Sequence, residues 1–232
     1  MRKLFLFSTI VFSLAIFNNV GLFAQSFNKG SLLISISEGS SHGSLNTHDA
    51  TIANDGGNHG NVGGDRDPIS IEYGLSKHWG IGINSGADIY KINPFNFYAS
   101  TTADIKMQTL NTIREPIMKV ITTELTADAY YHYFVTKHTD LSLFTSIGPA
   151  SISVKGTYLD QPYQYTASGA IVRAGAKAKY YITKRFGFMA MLSTFRAGYL
   201  SKNVKDNSMG KNTSTSLYGN ALEFGLCYRI LR

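Results

Sequence analysis

The sequence predicts an all-β fold: a closed, antiparallel transmembrane β-barrel of eight strands, preceded by a signal peptide. Three observations carry this expectation. Long stretches alternate apolar with small or polar residues at period 2, which puts one set of side chains on each face of a strand. Aromatic residues gather on the apolar face beside short polar turns. Those turns alternate with long polar segments, roughly 40–67, 91–118, 155–167 and 199–216. Short turns on one side and long loops on the other are the arrangement of an outer-membrane barrel.

Composition excludes the main alternatives. The chain has 232 residues, 12% aromatic and only 16% charged, too rich in aromatic and branched side chains for disorder and too poor in charge for an ordinary soluble surface. Its longest apolar run, Leu4–Phe17, is 14 residues, short of the ~20 that a spanning helix needs. A single cysteine rules out an internal disulfide and a cysteine-based zinc site. Cys227 reads as a small buried hydrophobe facing the interior beside Glu223 and Arg229.

Residues 1–24 read as a signal peptide, with Arg2 and Lys3 before the apolar run and Gly21-Leu22-Phe23-Ala24 as the cleavage region. The barrel domain is then 25–232. Removing the signal lowers the formal charge from +7 to +5, spread along the chain without a polybasic block, so nucleic acid is not an expected partner.

The strands are expected at Ser31–Glu38, Pro68–Tyr73, Trp79–Tyr90, Val120–Phe134, Leu141–Val154, Gly169–Tyr181, Phe186–Ala197 and Leu217–Arg229. In the third, Trp79, Ile81, Ile83 and Ile89 share one face, and Gly80, Gly82, Asn84 and Asp88 the other. In the fourth, Ala127, Ala129, Tyr131 and Tyr133 oppose Glu124, Asp128 and His132. The sixth sets Val172, Ala174, Ala176, Ala178 and Tyr180 against Arg173, Lys177 and Lys179; the last sets Leu222, Phe224 and Tyr228 against Glu223 and Arg229. An eight-strand count is even, as barrels of this kind require. The segment Phe97–Ile113 leaves a ten-strand wall as an alternative.

A short pattern recurs three times: Tyr73-Gly-Leu-Ser-Lys-His78, Tyr133-Phe-Val-Thr-Lys-His138 and Tyr180-Tyr-Ile-Thr-Lys-Arg185. The copies are 60 and 47 residues apart, too uneven for a solenoid. Around them Tyr73, Trp79, Tyr133, Tyr180, Phe186 and Tyr228 form the expected aromatic girdle at the turn-side membrane interface.

The segments Tyr180-Tyr-Ile-Thr-Lys-Arg-Phe-Gly-Phe, Tyr73-Gly-Leu-Ser-Lys-His-Trp-Gly-Ile-Gly and Gly225-Leu-Cys-Tyr-Arg-Ile resemble the small outer-membrane β-barrel family of Gram-negative bacteria, which includes porin-like, OmpA-barrel-like and OmpW-like proteins. The resemblance implies a place in the outer membrane, contact with its lipid, and insertion by the barrel assembly machinery. One departure is the end, Ile230-Leu231-Arg232, where such chains often close on an aromatic residue.

For function, the inward positions pool acids and bases: Glu72, Asp88, Glu124, Asp128, His132, Arg173, Lys177, Lys179, Glu223 and Arg229. An eight-strand barrel is just wide enough for side chains to fill it, and unpaired buried charge is costly, so these residues are expected to cross-pair into a plugged lumen. Glu124 and Asp128 are expected to face the column Arg173, Lys177 and Lys179. A narrow polar conduit is the alternative. The first long loop holds His42, His48, His59, Asp49, Asp55, Asp65 and Asp67, a pattern common in solvated loops and not read as a metal site. The nearest His/Ser pair, His42-Gly43-Ser44, has no evident orienting acid. The sequence therefore points to a non-enzymatic envelope barrel, structural or adhesion-type, without catalytic residues or cofactor. Its outward loops present a surface for an unknown ligand; a porin-like or OmpW-like channel is the alternative.

Overall fold

The computed structural model describes residues 27–49, 58–92, 98–99, 118–158, 161–201 and 213–231. The expected signal peptide and most of segment 91–118 lie outside them. The strands are β1 (Leu32–Asp49), β2 (Asn58–Arg66), β3 (Ile69–Gly74), β4 (Trp79–Ile92), β5 (Tyr98–Ala99), β6 (Met118–Val135), β7 (Thr139–Tyr158), β8 (Gln161–Tyr181), β9 (Phe186–Leu200) and β10 (Thr213–Leu231). Every pairing is antiparallel, and β10 pairs with β1 along its whole length, so the sheet closes on itself. Closure removes the edges that would leave backbone groups unpaired in lipid.

Among the described residues the wall has eight strands, because β2 and β3 are one strand. Their register against both neighbours runs unbroken from Arg66 (opposite Gly39 and Asp88) to Ile69 (opposite Ile36 and Ser85). Only Pro68, which has no N–H to give the ladder, interrupts it; its carbonyl still accepts from Ser37 N at 3.1 Å. β5 is a two-residue bridge on Asn58–His59 and adds no wall strand.

Three expected loops are corrected by the strand lengths. Segment 155–167 is a hairpin, with β7 and β8 paired as far as Tyr158 and Gln161. Segments 40–67 and 199–216 are partly wall, since β1 reaches Asp49, β2 starts at Asn58, β9 ends at Leu200 and β10 starts at Thr213.

The reason is a change of polarity along each strand. Near the turns the outward side chains are apolar (Ile83, Leu143, Ile147, Val172, Leu192, Phe224) and the inward ones polar or charged (Asn84, Ser142, Ser146, Arg173, Ser193, Glu223). Further along, the same two faces exchange character. On β7 Ala150, Ile152 and Val154 turn inward while Ser151 and Lys155 are exposed; on β9 Phe195, Ala197 and Tyr199 turn inward while Arg196 is exposed. Leu45, Val62, Tyr90, Val120, Tyr165, Ile171 and Leu217 complete this apolar interior. The lower part is thus a membrane barrel. The upper part is built like a water-soluble one, with an apolar core and a wet exterior. Small or polar inward residues along whole strands, the sequence expectation, hold only for the lower part.

The recurring turn pattern has a structural cause. In each copy the Ser or Thr hydroxyl accepts two backbone N–H groups across the turn: Ser76 from His78 and Trp79 at 3.2 and 3.0 Å, Thr136 from His138 and Thr139 at 3.3 and 2.9 Å, Thr183 from Arg185 and Phe186 at 3.3 and 2.9 Å. The sixth residue then ties the turn to the next hairpin. The carbonyls of His78, His138 and Arg185 accept from the N–H of His132, Tyr181 and Arg229, at 2.7–2.8 Å. The imidazole Nδ1 of His78 and of His138 also lies 2.7 and 3.0 Å from the carbonyls of His132 and Tyr181.

Candidate functional site: the charged lumen

The lumen is filled in layers. The floor is Phe27, which precedes β1 and turns into the turn-side mouth. A tight turn places it there: Asn28 N donates to Ser31 Oγ, Ser31 N to Asn28 O, and Gly30 has the left-handed φ of 82°. The Phe27 ring stacks on His132 at 3.6 Å between centroids and packs with Leu33, Tyr181 and Cys227. Gly74 faces this segment closely, since a Cβ there would lie 2.3 Å from the Asn28 carbonyl. Arg229 closes the layer, its guanidinium 4.8 Å above the Tyr181 ring.

The first ionic layer joins β3, β6, β7 and β8. Lys179 Nζ lies 2.8 Å from Glu72 Oε2 and 3.2 Å from Asp140 Oδ2. His132 bridges the same two carboxylates, with Nδ1 2.7 Å from Asp140 and Nε2 3.2 Å from Glu72. Lys177 is 3.7 Å from Glu72 and donates to Ser70 Oγ at 3.4 Å. The donor atoms of Glu72, His132 and Asp140 lie within 4.8 Å of one another, close enough to hold a metal ion. The Lys179 ammonium already occupies the space between the carboxylates.

Above it, Tyr130, Phe144, Met189 and Met191 form an apolar collar, and Lys177 Nζ sits 5.1 Å over the Tyr130 ring. Asp128 lies here. It accepts from the Tyr130 hydroxyl and from Thr126 Oγ1, both at 2.8 Å, and none of the ion pairs among the described residues includes it. Its expected pairing with the basic column is corrected: two local hydroxyls reach it first.

The second ionic layer is centred on Arg66, whose three donor nitrogens each take a different carboxylate: Nε to Glu223 at 2.7 Å, Nη1 to Asp88 at 3.1 Å and Nη2 to Glu124 at 2.6 Å. Arg173 grips Glu124 in a fork, with Nε–Oε1 2.9 Å and Nη2–Oε2 2.7 Å. Both guanidinium groups are fully buried. Among the described residues five buried cations face six buried carboxylates, with His132 between two of the latter.

Arg66, Asp140 and Phe27 were not legible as lumen residues. Arg66 fell in an expected loop, although counting by twos from Glu72 through Pro68 would have turned it inward. Asp140 was cut off by starting the strand one residue late. Nothing in the sequence before β1 marks Phe27 as a plug. Of the expected girdle, Tyr73, Trp79, Tyr133, Tyr180 and Tyr228 are exposed on the outer wall and Phe186 is half-buried there. A bulge after His132 turns both Tyr133 and Phe134 outward. His42 and Asp65 are exposed on the outer wall. The side chains of His48, Asp49 and His59, and all of Asp55, lie outside the described residues.

Neither a protein-family model nor a curated protein sequence matches the chain. Solved structures do. The outer membrane protein OprG from Pseudomonas aeruginosa is similar over 88% of this chain and 98% of its own, at 9% identity and TM-score 0.50. The outer membrane protease OmpT from Escherichia coli is similar over 90% and 99%, at 9% identity and TM-score 0.51. Ail, the attachment invasion locus protein of Yersinia pestis, solved with a heparin analogue, is similar over 87% and 99%, at 13% identity and TM-score 0.43. At such identities a likeness speaks of architecture alone: the chain has the fold of a small outer-membrane β-barrel.

Proposed function

We propose that this protein is a non-enzymatic component of the outer membrane, a structural or adhesion-type barrel whose working surface is its outer end. The carrying observation is a lumen occupied at every level: the Phe27 floor, two ionic layers with a collar between them, and the apolar upper core. A polar solute would have to break charge-assisted bonds such as Arg66–Glu223 and then cross an apolar section. The fold also carries a protease, OmpT. Here the buried His132–Asp140 pair is sealed beneath the Phe27 ring, which leaves a substrate no approach to it. The described wall strands instead continue past the lipid-facing band, as β7 and β8 do to Tyr158 and Gln161.

Planar-bilayer recording tests this reading. The purified barrel should insert without discrete conductance steps. Defined, reproducible steps, lost on replacing Arg173 or Lys177, would establish the porin-like or OmpW-like channel instead.

A further inference from the structure

The three recurring turns carry the same cation. In each, the residue after the clamping hydroxyl is a lysine: Lys77 after Ser76, Lys137 after Thr136 and Lys184 after Thr183. Lys77 and Lys137 are exposed, and Lys184 is half-buried beside the exposed Arg185. The hydroxyl clamp and the carbonyl tie to the next hairpin fix each turn, so each lysine projects from a backbone position that is already set.

The start of β1 supplies the fourth corner of this end. Lys29 is exposed in the tight turn between Phe27 and β1, and that turn is pinned to β3: Gly30 N donates to Gly74 O and Gly74 N to Ser31 O, both at 2.8 Å. Lys29 is two residues from the ring that closes the mouth, so it stands over the mouth and not on the lipid-facing wall. Among the described residues this end carries no exposed carboxylate. Glu72 and Asp140 are buried and held by Lys179 and His132. The exposed acids Glu38, Asp65 and Asp67 stand six or more residues from the turn-side ends of β1 and β3. Lys29, Lys77, Lys137, Lys184 and Arg185 therefore surround a sealed mouth with one sign of charge.

The spacing says what fits. With strands ~4.8 Å apart and tilted ~35–45°, eight of them make a ring whose neighbouring corners are roughly 10–12 Å apart. Three to four residues of extended chain, at ~3.3 Å each, cover that distance. The face also offers an acceptor. The His78 imidazole commits Nδ1–H to the His132 carbonyl at 2.7 Å, and in the neutral ring Nε2 is then an acceptor, a partner for a peptide N–H but not for a phosphate.

We propose that the turn-side end of the barrel binds an extended acidic segment of a periplasmic protein. Carboxylates three or four residues apart on that segment engage neighbouring corners, and one of them crosses the mouth to Lys29. This rests on the outer-membrane reading above, which puts the short turns in the periplasm. It is independent of whether the lumen conducts.

The test uses the full barrel in phosphatidylcholine nanodiscs, which leave both ends open to solution. The probe is a fluorescein-labelled peptide, (Glu-Ser-Gly-Ser)3, read by anisotropy. An exposed carboxylate–ammonium pair contributes about two- to five-fold in binding, so K29Q/K77Q/K137Q/K184Q should weaken it by about ten-fold or more, and K29Q alone by about two- to five-fold. K29R/K77R/K137R/K184R should bind like wild type. The outer-wall control K91Q/K119Q/K155Q should stay within about two-fold. Equal binding by wild type and K29Q/K77Q/K137Q/K184Q would overturn the proposal. So would pentaphosphate binding as tightly as the peptide, which would make the face a general anion surface. Enrichment of phosphatidylglycerol around wild type but not K29Q/K77Q/K137Q/K184Q in mixed nanodiscs, without peptide binding, would give the lysines to the inner leaflet and overturn it too. Failure of the barrel to enter phosphatidylcholine nanodiscs would remove the membrane reading and the proposal with it, a different result from insertion without peptide binding.

Discussion

The lower and upper parts of this barrel share eight strands and one side-chain period, yet they are stabilised in opposite ways. Below, lipid covers Ile83, Leu143 and Phe224, and charge networks fill the interior. Above, water covers Ser151 and Lys155, and Ile152, Phe195 and Leu217 fill the interior. The comparison teaches that a strand's inner and outer faces are fixed by geometry, while their polarity is set by what lies outside. Where lipid ends, an apolar exterior has no use, and an apolar interior becomes the only source of hydrophobic stabilisation.

The sharpest way to break the comparison is at Arg66. Arg66→Leu leaves Asp88, Glu124 and Glu223 with one fewer counter-charge in a dry interior and should cost about 3–5 kcal/mol, read by urea titration in lipid vesicles. Adding Glu223→Gln should recover part of that loss; a further loss of the same size would mean that the layer is not held by charge balance. Next in size is a pair of outward substitutions. Ile83→Arg, in the lipid band, should cost ~2–4 kcal/mol. Ser153→Arg, above it, should stay within about 0.5 kcal/mol. Equal costs would erase the distinction between the two parts.

The upper core should respond as a soluble one. Ile152→Val removes one buried methylene and should cost about 0.5–1.5 kcal/mol in the same titration. The turns should give an effect of the same size. Thr183→Ala strips two backbone N–H groups of their acceptor at an exposed site and should cost about 0.5–1.5 kcal/mol, with unchanged strand content by circular dichroism. A larger loss there would make the repeated turns a folding determinant.

How much of this was legible follows from the same polarity change. In the lower part the alternation is regular, and it indicated the lipid-facing residues, the girdle and most inward charges. The expected strand ends at Tyr90, Val120, Val154, Ala197 and Leu217 are, in the structure, inward-facing apolar residues at the level where the faces exchange character. Reading by a fixed apolar face stops at that level, because an inverted pattern looks like a strand ending in a polar loop. Pro68 compounded this on the second wall strand and hid Arg66, although the register on both sides passes straight through it. Asp140 continues the inward alternation of β7 one residue before the expected start of that strand, whereas Phe27, which precedes β1, has no periodic signal at all.

The two-part wall is tested most directly along β7, with nitroxide labels at Leu143, Ile147, Ser151, Ser153 and Lys155 in lipid vesicles. The lone native cysteine, Cys227, is buried, so a cysteine introduced at each of these outward positions is the one the label reaches. Collision with dissolved oxygen should dominate at Leu143 and Ile147, and collision with a water-soluble nickel chelate at Ser153 and Lys155, with the crossover near Ser151. A wall that stays oxygen-accessible and chelate-protected up to Lys155 would contradict it.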